Sequence, residues 1–173
     1  RTTFDPCINF FEEFGNWAQK IVYVSTIDIY GPAPAGVIDE DTPASPSTPY
    51  AVAKLCLEDF VRFYCKAANK TCVILRFSQV YGPREPKVRV MSFIMDAAVR
   101  NKEFALRGTG EEKRKFLYVA DAAMAVVQSI SFERSDIFVI AGQEATSIKE
   151  VILIVESITG KRLKIKQAWS DRT

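Results

Sequence analysis

The sequence predicts an α/β fold on a mainly parallel sheet, and three observations point to it. The runs KIVYVST and VILRFSQVYG are too continuously apolar for strands with one face in water. Between and after them come segments whose apolar residues recur every three or four positions, as on helices. Hydrophobic residues make up 48% of the chain and charged residues 25%, the balance of an ordinary globular domain. At 173 residues there is length for about one such domain and one sizeable core.

The elements follow in order. INFFEEFGNWAQ, residues 8–19, carries Ile8, Phe11, Phe14 and Trp17 at a three-residue step and predicts a helix. KIVYVST, residues 20–26, predicts a short buried strand. GPAPAGVIDEDTPASPSTP, residues 31–49, is a loop by composition, and loops of this length in compact domains are often functional. Ser47 or Thr48 is placed to cap the next helix, with Pro49 in its first turn. Tyr50, Lys54, Leu57, Val61 and Tyr64 then recur along a helix reaching about Ala68.

TCVILRFSQVYG predicts a second buried strand that runs into a turn at Gly82-Pro83. Residues 90–100 predict a helix, GTGEE a turn, and KRKFLYVADAAMAVVQSI a short strand leading into a helix begun near Asp121. SDIFVIAG is a third strand, SIKEVILIVESITGK a helix ended by Gly160, and RLKIKQA a final strand.

Composition excludes several chemistries. The chain has no histidine, which removes a serine-histidine hydrolase mechanism and a histidine-ligated metal; no metal site is expected. Cys7, Cys56, Cys65 and Cys72 show no CxxC spacing, which suits a reducing, cytosol-like (cytoplasmic) compartment. A net charge of +2 favours neither nucleic acid nor a membrane as partner, and no apolar run reaches the ~18 residues of a membrane span.

The candidate site begins at Tyr50 and Lys54. A phenol with an ordinary pKa near 10 needs a neighbouring cation to act as an acid-base at neutral pH. Four residues along a helix bring both side chains to one face. Alone, this spacing also describes a tyrosine packed at a helix start beside a solvated lysine. The first strand ends in Ser25 and Thr26, the second in Phe77, Ser78 and Gln79, and ligands of open α/β sheets gather beyond the carboxyl ends of strands. Phe77 equally suits a core position, Arg114 in EEKRK a solvated face, and Asp121 a helix cap.

The succession VYVSTIDIYG, the proline-rich loop, PYAVAKLCLEDF, LRFSQVYGPRE, GTGEEKRKFLYVADAAMAV and FVIAGQEATSIKEV resembles the extended short-chain dehydrogenase/reductase family. The likeness is greatest to its NAD-dependent nucleotide-sugar epimerases and dehydratases. It implies a Rossmann-like parallel sheet flanked by helices, NAD or NADP as cofactor, a nucleotide-sugar substrate, and a homodimer formed through the helix of Tyr50, with Phe60, Phe63 and Tyr64 exposed. It implies that Tyr50 is the acid-base, that Lys54 holds the nicotinamide ribose and lowers the tyrosine pKa, and that Thr26 hydrogen-bonds the reacting oxygen. Ser25 and Phe77 would line the cofactor site, Gln79 would contact substrate, and Arg114 would bind the nucleotide diphosphate.

Departures from the family pattern sharpen these expectations. Ile27 and Asp28 stand where the dehydratases carry an acidic pair, so epimerisation or simple oxidoreduction is preferred over dehydration. The eight glycines form no GxxGxxG cluster, the device that cradles a cofactor pyrophosphate. The resemblance therefore implies a fragment lacking the N-terminal strands and the C-terminal end. Residues 1–89 would be the C-terminal half of the Rossmann-type dinucleotide-binding domain, and 90–173 a mixed region contributing substrate-binding segments and a returning strand and helix. Two alternatives stay open: a reductase of a non-sugar carbonyl compound, and a non-catalytic binding module.

Overall fold

A computed structural model describes residues 4–32, 37–86 and 88–168. The chain forms two compact units, one of residues 1–80 and 120–141 and the other of residues 81–119 and 142–173.

The first unit is built on three parallel strands in the order β1-β2-β6: β1 (Lys20–Thr26), β2 (Thr71–Phe77) and β6 (Asp136–Ile140). Register runs from Lys20 opposite Thr71 to Thr26 opposite Phe77, so both strands finish at the same level. Helix α1 (Phe4–Phe14) precedes β1, and α2 (Pro49–Ala67) connects β1 to β2. Because strand side chains alternate, Ile21, Tyr23 and Ser25 share a face with Cys72, Ile74 and Arg76. On that face Phe11 of α1 and Val61 and Cys65 of α2 pack against Ile21, Cys72 and Ile74 as one core.

The helix α2 starts where its sequence says it should. The Thr48 hydroxyl accepts from the Ala51 amide at 3.2 Å and Pro49 fills the first turn, where its missing N–H costs nothing. The preceding loop is pinned at its root: the Ser45 amide donates to the Ile29 carbonyl at 2.8 Å. Gly31 has φ +74, and a Cβ there would lie 2.1 Å from the Ser45 carbonyl oxygen, so no other residue fits.

The second unit packs α3 (Val90–Arg100) and α5 (Ile148–Thr159) over β4 (Glu103–Arg107), which pairs in parallel with β8 (Lys164–Ala168). Its core joins Ile94, Ala97 and Ala98 to Phe104, Leu106, Ile148, Val151, Ile152 and Val155. Here β5 (Lys113–Tyr118) pairs antiparallel with the short β7 (Ala145–Ser147). Ser147 and Glu150 form a capping box at the start of α5, and Gly160 closes it in the left-handed conformation.

Several elements differ from expectation. The first helix covers Phe4–Phe14 rather than 8–19; of its predicted apolar face Phe11 is buried, whereas Trp17 lies beyond the helix and is exposed. The predicted strand of residues 71–82 is two strands, because the chain leaves the ladder at Ser78 before β3 (Gln79–Tyr81). Helix α4 (Val119–Ser129) begins two residues before Asp121. β4 and β7 were not predicted: EFALR and ATS are too short and too polar to stand out by periodicity. Among the described residues, no helix is long and apolar enough to cross a membrane.

Candidate functional site

The first unit gathers the candidate residues around the carboxyl end of β1 and the first turns of α2. Lys54 is half-buried, and its ammonium donates to the Val24 carbonyl at 2.7 Å while lying 4.8 Å from the centroid of the Tyr23 ring. Burial pulls its pKa below the ordinary lysine value, and the neighbouring Cys7 and Glu58 act in the opposite sense. A half-buried cation is screened less than one in open water, so it interacts more strongly with a polar group that reaches it. Tyr50 sits one helical turn earlier on the same face and is 47% exposed.

Thr26 ends β1 and is buried, and its side-chain oxygen accepts from the Asp28 amide at 3.2 Å, capping the 3₁₀ turn Ile27–Tyr30. That bond uses a lone pair and leaves the hydroxyl hydrogen for donation. Ile27 is half-buried and Asp28 exposed in this turn. Ser25, one residue earlier, is buried with its oxygen unpaired, and so is Ser78, just past the end of β2. Buried hydroxyls without partners are uncommon and cost free energy unless something satisfies them.

Phe77 lies opposite Thr26 in the parallel register and is half-buried. Gln79 opens β3 and is also half-buried. Arg114 belongs to the second unit, exposed on β5 opposite Thr146. The structure thus brings Ser25, Thr26, Tyr50, Lys54 and Phe77 together in one unit, with Gln79 two residues beyond Phe77. Tyr64, expected to be exposed, packs its ring 4.5 Å from that of Phe11.

A cluster beneath this site had no place in the sequence-based expectations. Glu58, one turn after Lys54, is 1% exposed and pairs with Arg76 of β2, Nη2 to Oε2, at 2.8 Å. Arg76 also donates to the Tyr30 hydroxyl at 2.7 Å. Burial works against the guanidinium charge, but bonds to Glu58 and Tyr30 outweigh it and hold the Arg76 pKa above its ordinary value. The signal was present: an arginine inside VILRF and a glutamate on the stripe of Tyr50 and Lys54 are charges where burial is expected, and buried charges need partners. Among the described residues no group of three or more Cys, Asp and Glu side chains comes together as a metal-binding set.

Comparison with known proteins decides the family. The family described as GDP-mannose 4,6 dehydratase matches residues 7–173. The chain belongs to that family. This family member is 30% identical over 158 residues to the dTDP-D-glucose 4,6-dehydratase of Mus musculus, covering 88% of the chain and 44% of the mouse protein. It is 30% identical over 156 residues to an uncharacterized UDP-glucose epimerase of Bacillus subtilis (strain 168), covering 89% of the chain and 48% of that protein. Among solved structures it superposes on the UDP-glucose 4-epimerase of Thermus thermophilus in complex with NAD. There the TM-score is 0.88 and the identity 25%, with coverage of 98% of the chain and 58% of that structure. The UDP-glucuronic acid 4-epimerase of Bacillus cereus in complex with NAD matches with TM-score 0.79 and 30% identity, over 88% of the chain and 50% of that structure. The family member spans about half the length of the relatives it matches. Its parallel sheet with flanking helices is the Rossmann-type architecture of the extended short-chain dehydrogenase/reductase group, in agreement with the sequence.

Proposed function

We propose that this chain carries the catalytic helix and part of the substrate-binding region of an NAD(P)-dependent epimerase acting on a nucleotide sugar. One observation carries the reading: Tyr50 and Lys54 stand on one face at the start of α2, with the Lys54 ammonium anchored at the carboxyl end of β1 beside Ser25 and Thr26. The epimerases among the relatives, two of them solved with NAD, support it.

The residues present fit a nicotinamide riboside. The ammonium of Lys54 suits ribose hydroxyls, and the unpaired hydroxyls of Ser25 and Ser78 suit polar groups of the cofactor at the strand ends. Phe77 offers an apolar wall. Bound there, NAD(P) would supply the hydride acceptor and donor for the substrate carbon.

Tyr50 removes the proton from the sugar hydroxyl and gives it back on reduction. Lys54 favours the phenolate through its charge. Thr26 donates its hydroxyl hydrogen to the reacting oxygen and so holds it near Tyr50. Gln79 contacts the sugar, and Arg114 binds the diphosphate with its planar guanidinium. Ile27, apolar where dehydratases have an acid, cannot protonate a leaving hydroxyl, which favours epimerisation over dehydration.

Tyr50→Phe is expected to reduce turnover of a protein containing this chain by roughly 10²–10⁴ with its circular dichroism unchanged. Unchanged turnover would favour the binding-module alternative. UDP or dTDP is expected to raise the thermal midpoint, and Arg114→Ala to abolish that rise; protection that survives the substitution removes Arg114 from the site. The 173 residues alone are expected to bind NAD weakly, and calorimetric titration showing tight binding would contradict this.

A second copy of the chain is the proposed partner. Phe10 and Phe14 of α1 and Phe60 and Phe63 of α2 are 38–73% exposed, an apolar area of the sort that marks interfaces. Phe63→Glu is expected to turn a dimer into a monomer in sedimentation velocity.

A further inference from the structure

The Glu58–Arg76–Tyr30 cluster is built more tightly than packing alone requires. Arg76 Nε lies 3.3 and 3.2 Å from the two carboxylate oxygens of Glu58, and Nη2 lies 2.8 Å from the second. Arg76 Nη1 donates to the Tyr30 hydroxyl at 2.7 Å and to the Glu40 carbonyl at 3.4 Å. The Tyr30 hydroxyl in turn donates to the Asp39 carbonyl at 2.9 Å. The Glu40 carboxylate accepts from the Val139 amide of β6 at 2.7 Å. Tyr30, Glu58 and Arg76 are 2%, 1% and 7% exposed.

The connections have a geometric consequence. Tyr50, Lys54 and Glu58 are spaced by four residues on one helix, so fixing Glu58 fixes the rotation and axial position of the face that carries the other two. Arg76 is the β2 residue opposite Ser25, one position before the Phe77–Thr26 level where the strands finish. A fork of directed bonds allows one axial setting of helix on strand, whereas an apolar contact tolerates sliding. Through Tyr30, Asp39 and Glu40 the same arginine holds the loop that delivers the chain to Thr48 and Tyr50.

We propose that Glu58, Arg76 and Tyr30 are positioning residues of the candidate site, setting the height and rotation of α2 and thereby where Tyr50 and Lys54 stand. The proposal rests on the reading of Tyr50 and Lys54 given above. Its test needs neither cofactor nor turnover, so the two can fail separately.

The experiment labels the tyrosine Cζ and lysine Nζ atoms of the 173-residue chain and follows Tyr50 and Lys54 by NMR, with assignment by Tyr50→Phe and Lys54→Met. Three variants are compared where each is folded: Glu58→Gln, Arg76→Lys, and the apolar pair Glu58→Leu with Arg76→Met. The pair keeps the volume filled and removes the directed bonds. All three are expected to displace both resonances, and amide exchange over residues 50–54 is expected to quicken about tenfold relative to core amides of β2. An apolar pair that leaves both resonances and the exchange as in the parent would make the cluster a packing element and overturn the proposal. If the charge variants do not fold, Tyr30→Phe, which removes one hydroxyl, decides: a displacement of the Tyr50 resonance supports positioning, and none overturns it.

Discussion

The Lys54 ammonium donates to the Val24 carbonyl at 2.7 Å, tying the second turn of α2 to the carboxyl end of β1. Lys54→Met keeps most of the apolar stem and loses this bond. One exposed-to-half-buried hydrogen bond contributes about 1 kcal/mol, so the variant is expected to fold with little change in its urea midpoint. Amides near Val24 are expected to exchange faster, which hydrogen-exchange mass spectrometry reads. An unchanged exchange pattern would mean that the bond does not hold the strand end.

Glu58 presents a larger effect. Removing one member of a buried ion pair leaves a desolvated charge, and such losses cost about 3–5 kcal/mol. Glu58→Ala is therefore expected to destabilise the chain by that order in urea unfolding. The apolar pair at positions 58 and 76 is expected to restore much of it, because replacing both charges removes the uncompensated one.

Thr48→Ala tests the entry to α2. The hydroxyl caps the Ala51 amide, and loss of such a cap costs ~1 kcal/mol. The first turn, which carries Tyr50, is expected to fray, and Thr48→Ser to behave as the parent does. Thermal unfolding and helical circular dichroism check both variants.

Tyr23 and Cys72 make alkaline pH destabilising. Burial raises the Tyr23 phenol pKa above its ordinary 10.0, with repulsion from Cys7, Glu58 and Tyr50 adding to it. Burial likewise pushes the Cys72 thiol from 9.0 up to about 12. Folded values above unfolded ones mean that the folded chain holds these protons more tightly. Their contribution is full below the unfolded values, about pH 9 for Cys72 and pH 10 for Tyr23, and is lost as pH rises through the folded values. Lys54 works with the opposite sign, since its folded pKa lies below 10.5 and the unfolded chain holds that proton longer. Tyr23→Phe is expected to flatten the fall of the urea midpoint above about pH 10. It is also expected to stabilise at neutral pH, because the Tyr23 hydroxyl is buried without a partner. A steeper alkaline fall in the variant would reverse the sign assigned to Tyr23.

Much of the geometry of the candidate site was legible because it depends on local chemistry. Thr48 and Pro49 fix a helix start, a four-residue step puts Tyr50 and Lys54 on one face, and the strand runs end at Thr26 and Phe77; each follows from a few neighbouring residues. The register of β1 on β2, which levels Thr26 with Phe77, follows from no such neighbourhood. Nor does the partner of Arg76, which lies 18 positions away on another element.

The sequence by itself determined the alternation of helices and strands, the cap of α2, the Tyr50–Lys54 spacing and the family likeness, because periodicity, capping and motif order are written along the chain. Only the tertiary structure decided that Lys54 reaches the Val24 carbonyl, that Ser25 and Ser78 are buried with unpaired hydroxyls, and that Glu58, Arg76 and Tyr30 form one buried cluster. The physical reason is that burial and hydrogen-bond partnership belong to pairs of distant segments. A charge inside an apolar run signals that a partner exists, and folding selects which one.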